Sequence, residues 1–406
     1  MIALRRGLLA AFVVGLGLSI TLAEGALICL TLLWLWRLRD PQVRSAQQWP
    51  LWRPVLAFTV ATLLSAFASG QVEASLIASK TLLLALALYV TADALQDARE
   101  GDRFVSWLAL SAAVGALAGL VQVAACPVPE PAGGLARWFF HRCDRARAFF
   151  SIYMTLAGVL NIVLLATLPR VLPGGFRSWS APVWLVTAAG LAMTYTRGAW
   201  VGLGAGAAAF LPMSRRGRWG LLAILVILPA LLFFGPRELS HRFRSMSDPD
   251  EAGIKERIYM WRSGVSMWRE RPLLGWGPGG VKREYTRYAL PEAFKKRTGH
   301  VHNTPLQILV ERGVLGLACW LAIWIAFYRR AISALRALDA NRARERALVA
   351  GSIAAVTGFL VAGLSEYNFG DSEVVMVAWA VMALPWASTA GSGLPKPHFD
   401  ATRSGD

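Results

Sequence analysis

The sequence predicts an all-α, polytopic integral membrane protein of about twelve transmembrane helices with a helical subdomain on its outer face. Three observations predict it. The 406 residues are 55% hydrophobic and include 17 tryptophans, and the mean hydropathy is +0.46; a soluble domain of this length does not usually hide that much apolar surface. Apolar runs of span length recur along the chain. Basic residues between the runs alternate in density, as orientation by Lys and Arg requires. The formal net charge of +17 then belongs to span flanks facing anionic membrane lipids. A nucleic-acid partner is not expected.

Taken in order, the spans are expected over 7–22, 24–38, 53–70, 75–95, 103–125, 149–171, 179–196, 198–214, 218–235, 304–328, 346–366 and 371–388. The first has the basic start and apolar centre of a signal peptide. A second apolar run follows at once from Ala26, so both are read as retained, in a hairpin turning near Glu24. With Arg5 and Arg6 cytoplasmic, alternation places Arg37, Arg39 and Arg44 on that side, then Arg99 and Arg103, Arg170 and Arg177, and Arg215, Arg216 and Arg218. Arg329, Arg330, Arg336, Arg342, Arg344 and Arg346 follow suit. Short loops therefore obey the positive-inside rule throughout. The organisation is nine spans in 1–235 with an outer loop at 126–148, a large outer loop at 236–303, three spans in 304–388, and a cytoplasmic tail at 389–406.

The large loop carries fourteen Lys and Arg against eight Asp and Glu. Long external segments translocate despite positive charge, and an anionic substrate at the outer membrane face explains the excess. Cys126 and Cys143 both lie in the first outer loop. A disulfide between them is permitted in an oxidising compartment such as a periplasm, with two free thiols as the alternative. Cys29 and Cys319 fall inside apolar spans.

Within the large loop, "AGIKERIYMWRSGVSMWRERP" reads as an amphipathic helix. At helical spacing Ile254, Ile258, Trp261, Val265 and Trp268 share a stripe, flanked by Arg262 and Arg269 on one side and Arg257 on the other. Such a helix lies on the bilayer or packs on the bundle. Pro272 ends it, and "PLLGWGPGG" forms a Gly-rich turn that lacks the Lys-Ser/Thr ending of a phosphate loop.

Three side chains suggest chemistry. Arg197 sits at a tight outer turn between adjoining spans, where it either snorkels or holds phosphate at a helix N-terminus beside small Gly198 and Ala199. His302 stands just before the tenth span with His300 two residues earlier, and a histidine can act as a general base near neutral pH. Clustered arginines can neutralise a diphosphate in place of a divalent metal, because guanidinium binds phosphate bidentately. Helix capping is the plain alternative for the histidine pair. A zinc site with His241 or His141 is a second alternative, opposed by the surrounding positive charge.

"HNTPLQILVERGVLG", from His302 to Gly316, resembles the His-Asn, nine residues, Gly-x-x-Gly pattern of bacterial O-antigen ligases within the ligase and polymerase superfamily. "TRGAW" at Arg197 and "RIYMW" at Arg257 followed by "PLLGWGPG" are similar to further landmarks of that superfamily. The resemblance implies a metal-independent, inverting GT-C type glycosyltransferase without cofactors, in the bacterial inner membrane with its site facing the periplasm. Its donor would be an undecaprenyl diphosphate-linked glycan and its acceptor lipid A-core. His302 would be the base and Arg197 and Arg257 would hold the diphosphate, with His300, Asn303, Arg262 and Arg147 in support.

Other readings share many of these features. A polymerase would accept a second carrier-linked glycan, and a protein O-oligosaccharyltransferase a Ser or Thr, although only about eighteen residues follow the last span where that branch would be expected to extend. A lipid-carrier flippase would place ionisable groups near the bilayer midplane. Here Lys80 and Glu311 are the main intramembrane examples, both toward the outer side.

Overall fold

The computed structural model describes residues 2–126, 134, 139–140, 143–171, 179–213, 248 and 251–389, and shows helices and no strand among them. Helices run over α1 (Ile2–Leu18), α2 (Ile20–Arg37) and α3 (Trp52–Phe67). They continue with α4 (Val72–Ala94) and α5 (Ala98–Ala124), α6 (Tyr153–Val171), α7 (Ser180–Met193) and α8 (Arg197–Phe210). After the large loop's α9 (Ala252–Glu270) come α10 (Thr304–Ala337), α11 (Ala343–Ala362) and α12 (Ser372–Met382).

This is a membrane protein. Among the described residues six helices, α2, α4, α5, α6, α10 and α11, are long and apolar enough to cross a bilayer, and α3, α7 and the stretch containing α12 are shorter apolar helices. Helices α1 and α8 occupy two more of the expected positions. The expected span at 218–235, with Arg177, Arg215, Arg216, Arg218, His141 and His241, lies outside the described residues, as does nearly all of the 389–406 tail.

The first hairpin turns earlier than expected, at Ser19, whose extended backbone caps α2 while Glu24 continues as exposed helix. The reason is packing. A Cβ on Gly15 would sit 2.4 Å from the Ala23 backbone, so the glycine lets the two helices close directly on the serine cap.

Ion pairs mark one end of the bundle. Arg37 and Arg5 converge on Asp93, Arg6 meets Glu100 at 3.0 Å, and Arg170 meets Asp102 at 2.6 Å. Helix α11 starts near that end, where Arg344 lies 4.0 Å from Asp102. Its 20 residues carry the chain about 30 Å to the opposite end. There Gly363 accepts a 2.7 Å hydrogen bond from the Thr304 amide at the start of α10. Helix α8 runs alongside, its glycines at 198, 202 and 206 leaving no room for a Cβ against Ser365, Gly358 and Ala354. Small residues at every fourth position allow this close approach in a membrane bundle.

The tenth expected span is interrupted. Gly313 has φ 62° and ψ −170° inside α10, and a Cβ there would meet the Leu273 carbonyl at 2.1 Å. The break frees backbone groups that an apolar surrounding would penalise, and the Gly-rich turn satisfies them. Trp276 and Gly277 amides donate to the Val310 and Glu311 carbonyls, while the Val314 amide donates to Pro272. Only Gly fits at such a contact.

Helix α9 turns a different face inward from the one its apolar stripe suggests. Glu256, Met260, Ser263, Gly264 and Met267 are buried, whereas Ile254, Ile258, Trp261, Val265 and Trp268 are half-buried. Two specific contacts select this face over the more apolar one. The Glu256 carboxylate accepts from the Phe294 and Lys295 amides at 2.9 Å, and Gly264 lets Val301 and Leu306 approach. Met260 and Met267 join Trp276, Val281, Tyr285, Val301 and Val310 in a small core separate from the bundle.

Part of the loop's basic excess is structural. Arg271 donates to the Ser69 carbonyl and stacks on Trp276, and Arg283 donates to Ser75 Oγ at 2.8 Å. These two arginines fasten the loop to the α3–α4 turn rather than meeting an external anion.

Candidate functional site

His302 is the last residue before the cap of α10. Asn303 accepts from the Leu306 amide at 2.8 Å, a normal N-cap, and Pro305 follows in the first turn. The chain enters this cap with His302 at φ 49°, a left-handed conformation disfavoured for a side chain of this size. Packing across the turn holds it there. Thr304 Oγ1 donates to the Glu366 carbonyl at 2.9 Å, and Asn303 Nδ2 donates to the Leu364 carbonyl at 2.8 Å.

The turn that these bonds secure, residues 363–370, presents Glu366. His302 Nδ1 lies 2.9 Å from Glu366 Oε2, and Arg257 Nη2 on α9 donates to Oε1 of the same carboxylate. A carboxylate accepts only, so Nδ1 carries the proton and Nε2 of the neutral ring is left as the acceptor.

His300 stacks edge-on against His302 at 4.2 Å between ring centres and faces Tyr367 at 5.8 Å. Burial, and secondarily the neighbouring His302, push the His300 imidazole down to about 4. It is therefore neutral at pH 7 and adds no charge beside His302.

Arg197 opens α8 and forms a two-pronged pair with Glu251, at 3.1 Å to Oε2 and 2.8 Å to Oε1. Gly198 does not face open space for a ligand, as its small size suggested; its Cβ position is 2.3 Å from Ser365 Oγ. That contact sets Arg197 beside the turn bearing Glu366. Tyr195, just before it, is also left-handed at φ 51°.

The remaining sequence candidates divide. His300 and Asn303 belong to the cluster. Arg262 is exposed, and five residues of helix rotate it about 140° away from Arg257. Arg147 is buried and donates to the Phe150 carbonyl at 3.1 Å and the Phe139 carbonyl at 3.4 Å, so its guanidinium closes its own loop. That loop also carries the Cys126–Cys143 disulfide, with Cα atoms 5.7 Å apart.

Two acids escaped the sequence reading. Glu251 and Glu366 lie 54 and 64 residues from the partners they meet, and no local spacing links them. A carboxylate at the outer end of an apolar span, on the side already assigned to His302, was the available signal for Glu366.

Tyr367 also lines a small cavity of about 20 Å³, walled by Phe58, Phe369 and Trp379 and bordered by Arg312. Intramembrane Glu311 does not face out into the site as its position suggested. It pairs with Arg312 at 3.2 Å, accepts from Gln307 Nε2 at 3.0 Å, and is faced by the Val281 and Gly279 amides of the Gly-rich turn. The turn thus directs amides toward a carboxyl group supplied by the protein itself.

Residues 182–321 match the family model described as O-antigen ligase. The match spans Arg197, Arg257, His300, His302 and Gly313 and supports placement in the O-antigen ligase and polymerase superfamily. No curated protein matches the chain.

Proposed function

We propose that the protein is an O-antigen ligase, a GT-C type glycosyltransferase of about twelve spans acting at the periplasmic face of the bacterial inner membrane. It transfers a glycan from undecaprenyl diphosphate to a hydroxyl of lipid A-core, with inversion and without a metal. The observation that carries this reading is the shared use of Glu366 by His302 and Arg257, an imidazole and a guanidinium side by side as a base and a phosphate-binding cation would need to be. Arg197 stands on the adjoining helix start, where backbone amides favour an anion.

In the reaction, His302 Nε2 takes the proton of the acceptor hydroxyl as its oxygen attacks the anomeric carbon. The bond from that carbon to the phosphate oxygen breaks, and its electron pair leaves with the diphosphate. Arg197 and Arg257 balance the charge that develops there, bidentate contacts being strongest for guanidinium. The imidazolium then loses its proton to water. Attack opposite the leaving group inverts the centre.

The test is an assay of purified protein in detergent with chelator, carrier-linked glycan, and either lipid A-core or a second portion of carrier-linked glycan. Glycan on lipid A-core supports the ligase. Carrier-linked dimers alone would make it a polymerase, and no transfer to either would reject the reading.

A further inference from the structure

We propose that Glu366 is the positioning residue of the site, one carboxylate whose Oε2 orients the His302 ring and whose Oε1 tethers Arg257, so that base and leaving-group cation are set relative to each other. The proposal rests on reading His302 as the base. Glu366 does not touch substrate in this role; it acts through the two side chains it holds.

Its own placement is unusually determined for a loop residue. The Glu366 carbonyl accepts from Thr304, the neighbouring Gly363 and Leu364 carbonyls accept from Thr304 and Asn303, and Asn368 is fixed by Nδ2 donating to the Phe359 carbonyl at 2.7 Å. The turn is therefore bound to the start of α10 and the end of α11, and the carboxylate inherits that rigidity. Both of its oxygens are committed, and its side chain is only 12% exposed. A groove or mobile loop would not give a base this orientation.

The electrostatics require such a group. The charged and titratable side chains around the pair are Arg257 from α9, Glu366 and Tyr367 from the 363–370 turn, and His300 and Lys295 from the segment leading into α10. When His302 accepts a proton it becomes cationic beside Arg257. Without a carboxylate between them, two like charges would oppose proton transfer. Glu366 makes that cation favourable, while neutral His300 leaves it unopposed from the other side. An ionised acceptor on Nδ1 also selects the tautomer whose Nε2 is free, as the acid of a Ser-His-Asp triad does for its histidine.

Glu366→Gln tests this, because it keeps the shape and removes the charge. Its amide can offer an N–H to Nδ1, which would leave the proton on Nε2. Turnover is expected to fall about 10²–10⁴-fold, with donor KM little changed and the acid limb of the kcat profile moved to lower pH. Glu366→Asp, which keeps the charge, should recover part of the rate. The double variant with His302→Ala should be slower than His302→Ala alone only by what the Arg257 tether contributes, because the effect exerted through the base is already lost. Thermal melting in detergent verifies that each variant is folded. A folded Glu366→Gln protein with near-normal turnover, or with an unmoved acid limb, overturns the positioning role. If His302→Ala is inactive in that case, the base survives and only Glu366 is misassigned; if His302→Ala is itself active, the reading of the base fails first.

Discussion

The segment 304–312 has charged clusters at both ends, and they are built to opposite purposes. At its start His302, Glu366 and Arg257 keep 13%, 12% and 27% of their side chains exposed. At its end Glu311 and Arg312 keep 4% each. Gln307 joins the two, accepting from the Val301 amide with Oε1 and donating to Glu311 with Nε2. The enclosed pair has its partners supplied internally, by Gln307, Thr62 and the Gly-rich turn. In the open cluster, polar side chains remain partly accessible on a turn at the end of the bundle. Opposite charges at contact distance therefore do not by themselves mark a reactive site. What separates the two is whether the protein has already filled the available hydrogen-bonding positions.

Breaking the enclosed pair should have the larger effect on folding. Arg312→Ala or Glu311→Ala leaves a buried charge without its partner, which costs about 3–5 kcal/mol, and Gly313→Ala adds a clash with Leu273 at the adjacent kink. Melting of the purified variants in detergent is the measurement. Transition temperatures equal to the unmodified protein's would mean that the pair is dispensable for stability and that its enclosure has another purpose.

Arg197→Lys and Arg257→Lys should leave melting nearly unchanged yet weaken donor use about 10–100-fold, as expected for loss of a charge-assisted hydrogen bond and its planar geometry. Steady-state kinetics with varied carrier-linked glycan resolves this. Unaltered kinetics for Arg197→Lys would reduce that residue to a membrane anchor paired with Glu251.

The smallest effect is one of pH. Because His300 is held down to about 4 against an ordinary value near 6.5, the unfolded chain binds a proton that the native protein refuses between those limits. Stability is present above about 6.5 and is lost as pH falls toward 4. Between pH 7 and 5.5 the loss should be about 1 kcal/mol, and His300→Asn should remove that dependence. A melting curve in that variant with the same pH slope would assign the titration to another group.

The contrast also explains what the sequence made legible. Span-length apolar runs, their basic flanks, the Gly-rich turn and the His-Asn cap are local patterns, and helices stand at most of the expected places. The break in α10 was hidden because 304–328 has the length of a single span and a lone glycine within it does not mark a kink; the close contact at Gly313 exists only once Leu273 docks against it. The inward face of α9 was hidden because Glu256 is buried by backbone amides from 294–295, a contact that hydrophobic periodicity cannot register. Glu366 was hidden for the same reason, being 64 residues from His302. Local chemistry could be read along the chain, whereas pairings made by tertiary approach could not.

The most direct measurement compares the unmodified protein with His302→Ala in glycan transfer from undecaprenyl diphosphate to lipid A-core, in detergent with chelator present. Proton removal by a positioned base is worth roughly 10²–10⁴-fold. The expected result is therefore metal-independent transfer by the unmodified protein and a loss of that size in a variant that melts normally and still binds donor. Transfer by folded His302→Ala at a substantial fraction of the normal rate would contradict a catalytic base at this position.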